Sequence, residues 1–219
     1  MVRLNMMKHK NDELIVSVCV ITYNSTETIK ETLDSILNQK YNLSCIELVI
    51  SDDCSKDNTI HLIESWLAEF GHSFRATKLI VNKVNGGVSK NCNVVWKASE
   101  YSWIKLIAGD DCLLPNCIKD NVEFVNNNDC NVVLSVMKSF HTDNGKVIYG
   151  QSMPNVERQK IFHVSSEKQF NYLQCRTITS TPTAFIKRSA LESIGFADER
   201  FPMMEDFPLW FNLTKSGYK

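Results

Sequence analysis

Of the five pairs of adjacent carboxylates in the chain, three stand out beside Asp12-Glu13 and Asp198-Glu199: Asp52-Asp53, Asp110-Asp111 and Glu205-Asp206. Neighbouring carboxylates repel each other, and beside apolar segments they lose hydration, so each pair needs a cation, N–H donors or a proton. The first pair opens DDCSKDNT, a stretch so rich in capping residues that helix capping and ligand binding weigh equally there. The second follows the apolar WIKLIAG and precedes a helix opened by Pro115, which needs no carboxylate cap at that distance. Cation binding is therefore favoured, and oxygen donors suit Mg²⁺ or Mn²⁺ bridging to a diphosphate. The third pair sits among Phe201, Met203, Met204, Phe207 and Trp210. It reads equally as a helix start, with Pro208 in the first turn, or as a general base whose apolar setting raises its pKa.

Other chemistries find little support. The sequence contains no GxxxxGK, GxGxxG, HExxH or GxSxG pattern. Its histidines, His9, His61, His72, His141 and His163, are far apart, and Lys78, Lys83, Lys90, Lys97 and Lys105 read as solvated positions. With 24 Lys and Arg against 25 Asp and Glu, no overall field attracts nucleic acid. The eight cysteines read as reduced, mostly buried thiols, which favours a reducing compartment. The basic start, Met1 to Lys10, runs into Asn11, Asp12 and Glu13 rather than an apolar core, so no export signal is visible. Nor does any run approach the roughly 20 apolar residues of a membrane span. A cytoplasmic protein, soluble or peripheral at the inner face of the membrane, is expected.

The elements that must position these carboxylates follow from periodicity. Leu14 to Ile21 is a nearly continuous, β-branched apolar run, the pattern of a strand buried on both faces of a parallel sheet. The turn Thr22-Tyr23-Asn24-Ser25 follows, then Ile29, Leu33, Ile36 and Leu37 at helical spacing. The unit recurs with a strand over Cys45 to Ile50 and a helix carrying Ile60, Ile63, Trp66, Leu67 and Phe70, and again with a strand over Leu79 to Val81 and a helix over Val88 to Ser99. Trp103 to Ile107 makes a fourth strand. Alternation of this kind predicts a parallel sheet covered on both faces, whose ligands bind beyond the carboxyl ends of the strands. Beyond Asp111 the spacing predicts a helix from Pro115 to Val125, strands over Val132 to Phe140 and Val147 to Tyr149 with Gly145 at a hairpin, and an irregular 150–180 excursion with a short helix near Phe170. A strand over Thr183 to Ile186 and a helix from Phe207 complete one domain, 14–219, after a flexible extension over 1–13.

In order and context these motifs resemble the family-2 glycosyltransferases with the GT-A fold. VSVCVITYNSTETIKETLDSILNQ is similar to the family's opening strand, TYN turn and first helix, and IELVISDDCSKDNT to its second strand and DD-x-S-x-D-x-T turn. NGGVSKNCN resembles the segment after strand three, WIKLIAGDD the strand bearing the metal site, and IGFADERFPMMEDFPLW the segment ending in the acceptor-side ED motif. The resemblance implies an α/β fold of GT-A type: a Rossmann-like, mostly parallel sheet with helices on both faces and a smaller acceptor-side mixed sheet. It divides the domain into a nucleotide-sugar half, about 14–112, and an acceptor half, about 113–219. It implies an inverting transferase acting on a nucleotide-sugar donor, a UDP sugar foremost, and a glycan or lipid-linked acceptor in surface polysaccharide synthesis, with peripheral membrane contact.

By that resemblance Thr22, Tyr23, Asn24 and Asp53 shape the nucleotide pocket, Asp53 accepting a hydrogen bond from the base. Asp110 meets ribose and diphosphate, Asp110 and Asp111 hold Mg²⁺ or Mn²⁺, and Asp206 is the general base with Glu205 beside it on the acceptor. The sequence also departs from the pattern. Ala108 falls where many members carry the first Asp of DxD, and Cys92 where many carry an Arg near the donor phosphates. Lys90, about 200° from Cys92 around the helix, does not directly replace that charge but is a donor-side candidate. Cys54 replaces a common turn Gly, and the family usually continues past the position of Lys219 into further acceptor-side elements. A degenerate nucleotide-sugar-binding domain, or more remotely a metal-dependent nucleotidyltransferase, remains the alternative.

Overall fold

A computed structural model describes residues 13–144, 146–176 and 181–219. The expected N-terminal extension lies outside the described residues except for Glu13, and so does Gly145. Three β-α units come first: β1 (Val16–Thr22) and α1 (Ile29–Leu37), β2 (Ile46–Asp52) and α2 (Thr59–Phe70), β3 (Ala76–Val81) and α3 (Val88–Ala98). Then follow β4 (Trp103–Ala108), α4 (Cys117–Asn127), β5 (Val132–Leu134), β6 (Met137–Asp143), β7 (Lys146–Met153), α5 (Val156–Gln159), α6 (Ser166–Leu173), β8 (Ala184–Lys187), α7 (Arg188–Ser193) and α8 (Asp206–Lys215).

Six strands form one sheet in the order β3-β2-β1-β4-β8-β5. The first four are parallel, and β8 runs antiparallel between β4 and β5. Every residue of β1 and β2 is buried, as expected where helices cover both faces. Alternation along β1 sends Val16, Val18 and Val20 into a layer with Ile29, Leu33 and Ile36 of α1, Ile63 and Trp66 of α2, and Ile118 and Val122 of α4. Cys19 and Ile21 face the opposite layer, built from Val95 and Trp96 of α3, Leu173 of α6, Ala190 and Leu191 of α7, and Leu209, Trp210 and Leu213 of α8. A second, smaller sheet is the antiparallel hairpin β6-β7.

Several details differ from the sequence expectations. The run 132–140 is not one strand: Leu134 is the last residue paired with β8, Ser135 donates its N–H to the Thr183 carbonyl (2.9 Å) and its hydroxyl to Asn121, and the chain then turns into the hairpin. Of the expected 150–180 excursion, residues 177–180 lie outside the described residues; the short helix expected near Phe170 is α6, and the rest is more regular than expected, with Asn155 capping α5 as Ser165 caps α6 through side-chain acceptors. Helix α7 was not expected. Lys105 is not solvated: it is 1% exposed, and its ammonium donates to the Pro182 carbonyl at 2.7 Å. Lys78 bridges buried Glu47 at 2.9 Å and Glu100 at 2.6 Å. The thiols are less uniformly buried than expected, with Cys19 and Cys92 in the core, Cys175 exposed and the others half-buried.

Candidate functional site

The turn after β1 lies at the centre of the carboxyl edge, because β1 is flanked by β2 and β4. It is stitched to both neighbours. The Thr22 carbonyl accepts the Asp53 N–H at 2.9 Å, and the Ile21 carbonyl accepts the Gly109 N–H at 2.8 Å. The Thr28 hydroxyl donates to the Gly109 carbonyl at 2.7 Å. Gly109 fits because a β-carbon there would lie 2.7 Å from the buried Thr22 hydroxyl oxygen, an atom with no hydrogen-bond partner among the described residues. Close approach thus fixes Asp110 and Asp111 beside the first turn.

On the other side, Asn24, in the left-handed region at φ 50°, donates its N–H to the Ser55 hydroxyl and accepts the Lys56 N–H on its side chain. Ser25 N–H donates to Thr59 Oγ1, and Thr26 N–H to Asp57. Burial works against the Asp57 charge, but hydrogen bonds from Thr26 and Thr59 outweigh it and hold the carboxyl down at about 2. Tyr23 is left 47% exposed at the mouth of the turn.

The first acidic pair is satisfied by the protein. Asp52 accepts the N–H and hydroxyl of Ser55. The Asp53 carboxylate, 3% exposed, accepts Gly86 N–H (3.0 Å), Gly87 N–H (2.8 Å) and the Asn82 amide (3.1 Å), so in this conformation it holds the loop after β3. Asn91 completes the arrangement from α3, accepting from Asn82 and donating to the Ser51 carbonyl. Sequence reasoning missed Asn82, Asn91 and Asp57. Their only local signal was an unusual density of Asn, Asp and Gly beyond the strands.

Lys90 is exposed in the first turn of α3, and its aliphatic stem lies over Gly86. Cys92 points the other way into the core, where burial, followed by the charge of Glu205, pushes its thiol well up. Lys90 and Cys92 thus lie on different sides of α3, as the helical spacing predicted. Asp110 is exposed and Asp111 half-buried. Burial raises the Asp111 pKa, adjacent Asp110 raises it further, and Lys105 opposes both. Among the described residues no cluster of three acidic, His or Cys side chains forms a metal cage. The pair nevertheless suits Mg²⁺ or Mn²⁺, since such ions commonly use one or two carboxylates and complete their shell with water and substrate phosphates.

Glu205 and Asp206 open α8, both half-buried. Burial raises the Glu205 pKa, with the Asp206 charge adding to it. Asp206 Oδ1 accepts the Phe207 N–H at 2.6 Å. The approach to this pair rests on the start of α3: Ser89 donates its N–H to the Pro202 carbonyl at 3.2 Å and its hydroxyl to the Phe201 carbonyl. A chain of contacts thus runs from Asp53 through Gly86 and Gly87 to Pro202 and the third acidic pair. A separate cleft of about 430 Å³, lined by Asn93, Lys97, Phe196, Asp198, Glu199 and Arg200 among others, includes none of the residues Asp52, Asp53, Asp110, Asp111, Glu205 and Asp206.

A family model described as Glycosyl transferase family 2 matches residues 17–195. The chain is 32% identical over 122 residues to the poly(ribitol-phosphate) beta-N-acetylglucosaminyltransferase TarS of Staphylococcus aureus, a match covering 56% of this chain and 21% of TarS. It is 25% identical over 213 residues to the Escherichia coli UDP-Glc:alpha-D-GlcNAc-diphosphoundecaprenol beta-1,3-glucosyltransferase WfaP, covering 94% of this chain and 72% of WfaP. The crystal structure of S. aureus TarS 1-349 in complex with UDP superposes with a TM-score of 0.67 and 25% identity, over 90% of this chain and 54% of that one. A mannosyltransferase from Pyrobaculum calidifontis, in complex with GDP-Man and Mn²⁺, superposes at 0.69 with 20% identity over 95% and 54% of the two chains, a likeness of fold.

Proposed function

Because the chain belongs to glycosyl transferase family 2, we propose that it is an inverting glycosyltransferase. It moves a sugar from a nucleoside diphosphate donor to a hydroxyl of a glycan or lipid-linked acceptor during surface polysaccharide assembly. The observation that carries this reading is the contact chain joining the two acidic centres: Asp53 holds Gly86 and Gly87, and the α3 start holds Phe201 and Pro202 ahead of Glu205 and Asp206. In this reading the contacts tie the segment ahead of the acceptor-side carboxylates to the loop that the donor-side carboxylate holds.

In this reading the stitched turns bearing Thr22, Tyr23, Asn24 and Asp53 form the wall against which the nucleoside lies. Asp53 offers the base a carboxylate already oriented by three donors, and Lys90 supplies a positive charge toward the diphosphate. Asp110 also meets the ribose. Asp110 and Asp111 would hold Mg²⁺ or Mn²⁺, which neutralises charge on the departing diphosphate. Asp206 accepts the proton of the acceptor hydroxyl as its oxygen bonds to the anomeric carbon, and the bond from that carbon to the diphosphate breaks on the opposite face. Glu205, made less acidic by burial, orients the acceptor. The configuration inverts.

A UDP sugar is the favoured donor, since TarS is solved with UDP and WfaP is named for UDP-Glc. The diphosphoundecaprenol in the name of WfaP favours a lipid-linked acceptor and a peripheral position at the cytoplasmic face of the membrane. No helix among the described residues is long and apolar enough to cross a membrane. The degenerate, binding-only reading draws on Ala108 and on the buried thiol of Cys92. Calorimetric titration with UDP, GDP and dTDP, each with and without Mn²⁺, tests the donor reading: UDP is expected to bind best and to depend on metal. Absence of binding under every condition would refute it. Release of UDP from a UDP sugar would eliminate the binding-only alternative.

A further inference from the structure

The hairpin β6-β7 leaves the main sheet at a telling point. Strands β4 and β5 both run antiparallel to β8, and Leu134, the last residue of β5, pairs with Ala184 at the end of β8 nearest the carboxyl end of β4. The hairpin therefore leaves the sheet at the same edge as the acidic turns. Its two strands pack chiefly on each other. On one face Phe140 pairs with Tyr149 and Val147 lies two residues along from it, an apolar stripe that is open: Val147 is 48% and Tyr149 56% exposed, while Met153, beyond a register shift, pairs with Met137 on the other face. Ile148 is exposed on the other face, and Val156 just beyond.

Charge distinguishes this protrusion from the rest of the chain. Residues 137–176 carry six Lys and Arg against three Asp and Glu, whereas the whole chain has 24 against 25. Lys138 and Lys146 are exposed on the hairpin, Arg158 and Lys160 on the helical turns that follow, and the nearby acid Glu157 is already paired with Lys160 at 2.7 Å. Exposed aliphatic and aromatic side chains bordered by lysines on an otherwise slightly acidic molecule match an anionic lipid surface, which accepts apolar groups below its headgroups and attracts the basic rim. A soluble glycan or an acidic protein would use the charge and leave the apolar stripe unexplained.

We propose that the β6-β7 hairpin and the basic turns after it dock the protein onto anionic phospholipid, presenting the carboxyl edge of the sheet to the membrane surface. The inference rests on the proposed function only for its purpose, delivery of a lipid-linked acceptor hydroxyl to Asp206. The protein stays peripheral, because the hairpin inserts a few side chains rather than a span.

The test is flotation of the chain with phosphatidylcholine vesicles, with and without phosphatidylglycerol, at low and high salt. Binding is expected to require phosphatidylglycerol and to weaken with salt. Lys138→Glu combined with Lys146→Glu is expected to lower it about tenfold or more, and Val147→Ser combined with Tyr149→Ser to abolish it, with melting temperature and UDP binding unchanged in both. Failure of the parent chain to bind anionic vesicles, or equal binding by parent and variants, overturns the proposal. So does a variant that changes the mass in light scattering instead, since the occupant would then be a second copy of the chain. Loss of UDP binding with intact vesicle binding would count against the donor reading and leave the docking surface standing.

Discussion

Asp53 and Asp111 are both carboxylates at the end of a buried parallel strand, yet their surroundings treat them oppositely. Asp53 has three donors aimed at it. Asp111 has burial and Asp110 against it, with only Lys105 in compensation. A carboxyl whose folded pKa is raised costs stability once it ionises: the penalty is absent below the usual carboxylate range and grows as pH rises through the raised value. Asp111→Asn should therefore be more stable than the parent at neutral pH, the difference vanishing in acid, which thermal melts across pH would measure. The same variant should lose any melting-temperature gain that UDP and Mn²⁺ together give the parent. At the other centre, Asp206→Asn should reduce transfer by about 10²–10⁴-fold with UDP affinity nearly unchanged. Full activity in that variant would move the proposed base elsewhere.

Among the elements, the start of α3 has the widest consequences. Gly87 adopts φ 84° and ψ 169°, a region open essentially only to glycine, and a β-carbon there would lie 2.5 Å from the Pro202 carbonyl oxygen. Its N–H is one of the donors to Asp53, and the adjacent Ser89 holds Phe201 and Pro202. Gly87→Ala should cost roughly 1–3 kcal/mol in backbone strain, read by denaturant melts. It should also depress transfer more than UDP binding, because the ED segment must shift to make room. Equal loss of both would mean that the contact chain serves folding alone. The glycine was visible in NGGVSKN, whereas its partner Pro202 is more than a hundred residues away and no local pattern could name it.

Across the whole molecule, the strand order joins the two halves of the chain in one sheet. Strand β8, from the acceptor half, lies directly against β4, and Trp103 stacks on Phe185 with ring centroids 4.9 Å apart. We expect one unfolding transition by calorimetry, with calorimetric and van't Hoff enthalpies in agreement. Phe185→Ala should lower stability by about 3–5 kcal/mol without splitting that transition. Two resolved transitions would instead make the halves separate domains.

What the sequence by itself determined was whatever depends on near neighbours. The apolar runs of β1 and β2, the helical spacing of Ile29, Leu33 and Ile36, and acidic pairs just past strand ends are local facts, and alternation of strand and helix then requires a covered parallel sheet with its turns on one edge. Tertiary structure decided what depends on partners remote in the chain. It inserted β8 antiparallel beside β4, divided 132–140 between two sheets, buried Lys105 against the Pro182 carbonyl and gave the Asp53 carboxylate to the Asn82–Gly87 loop. A strand's pairing and a side chain's burial are set by the surface it meets, which its own residues do not specify. The acidic pairs could therefore be found in the sequence, but only the folded chain shows that Asp53 has three protein donors aimed at it while burial and Asp110 raise the pKa of Asp111.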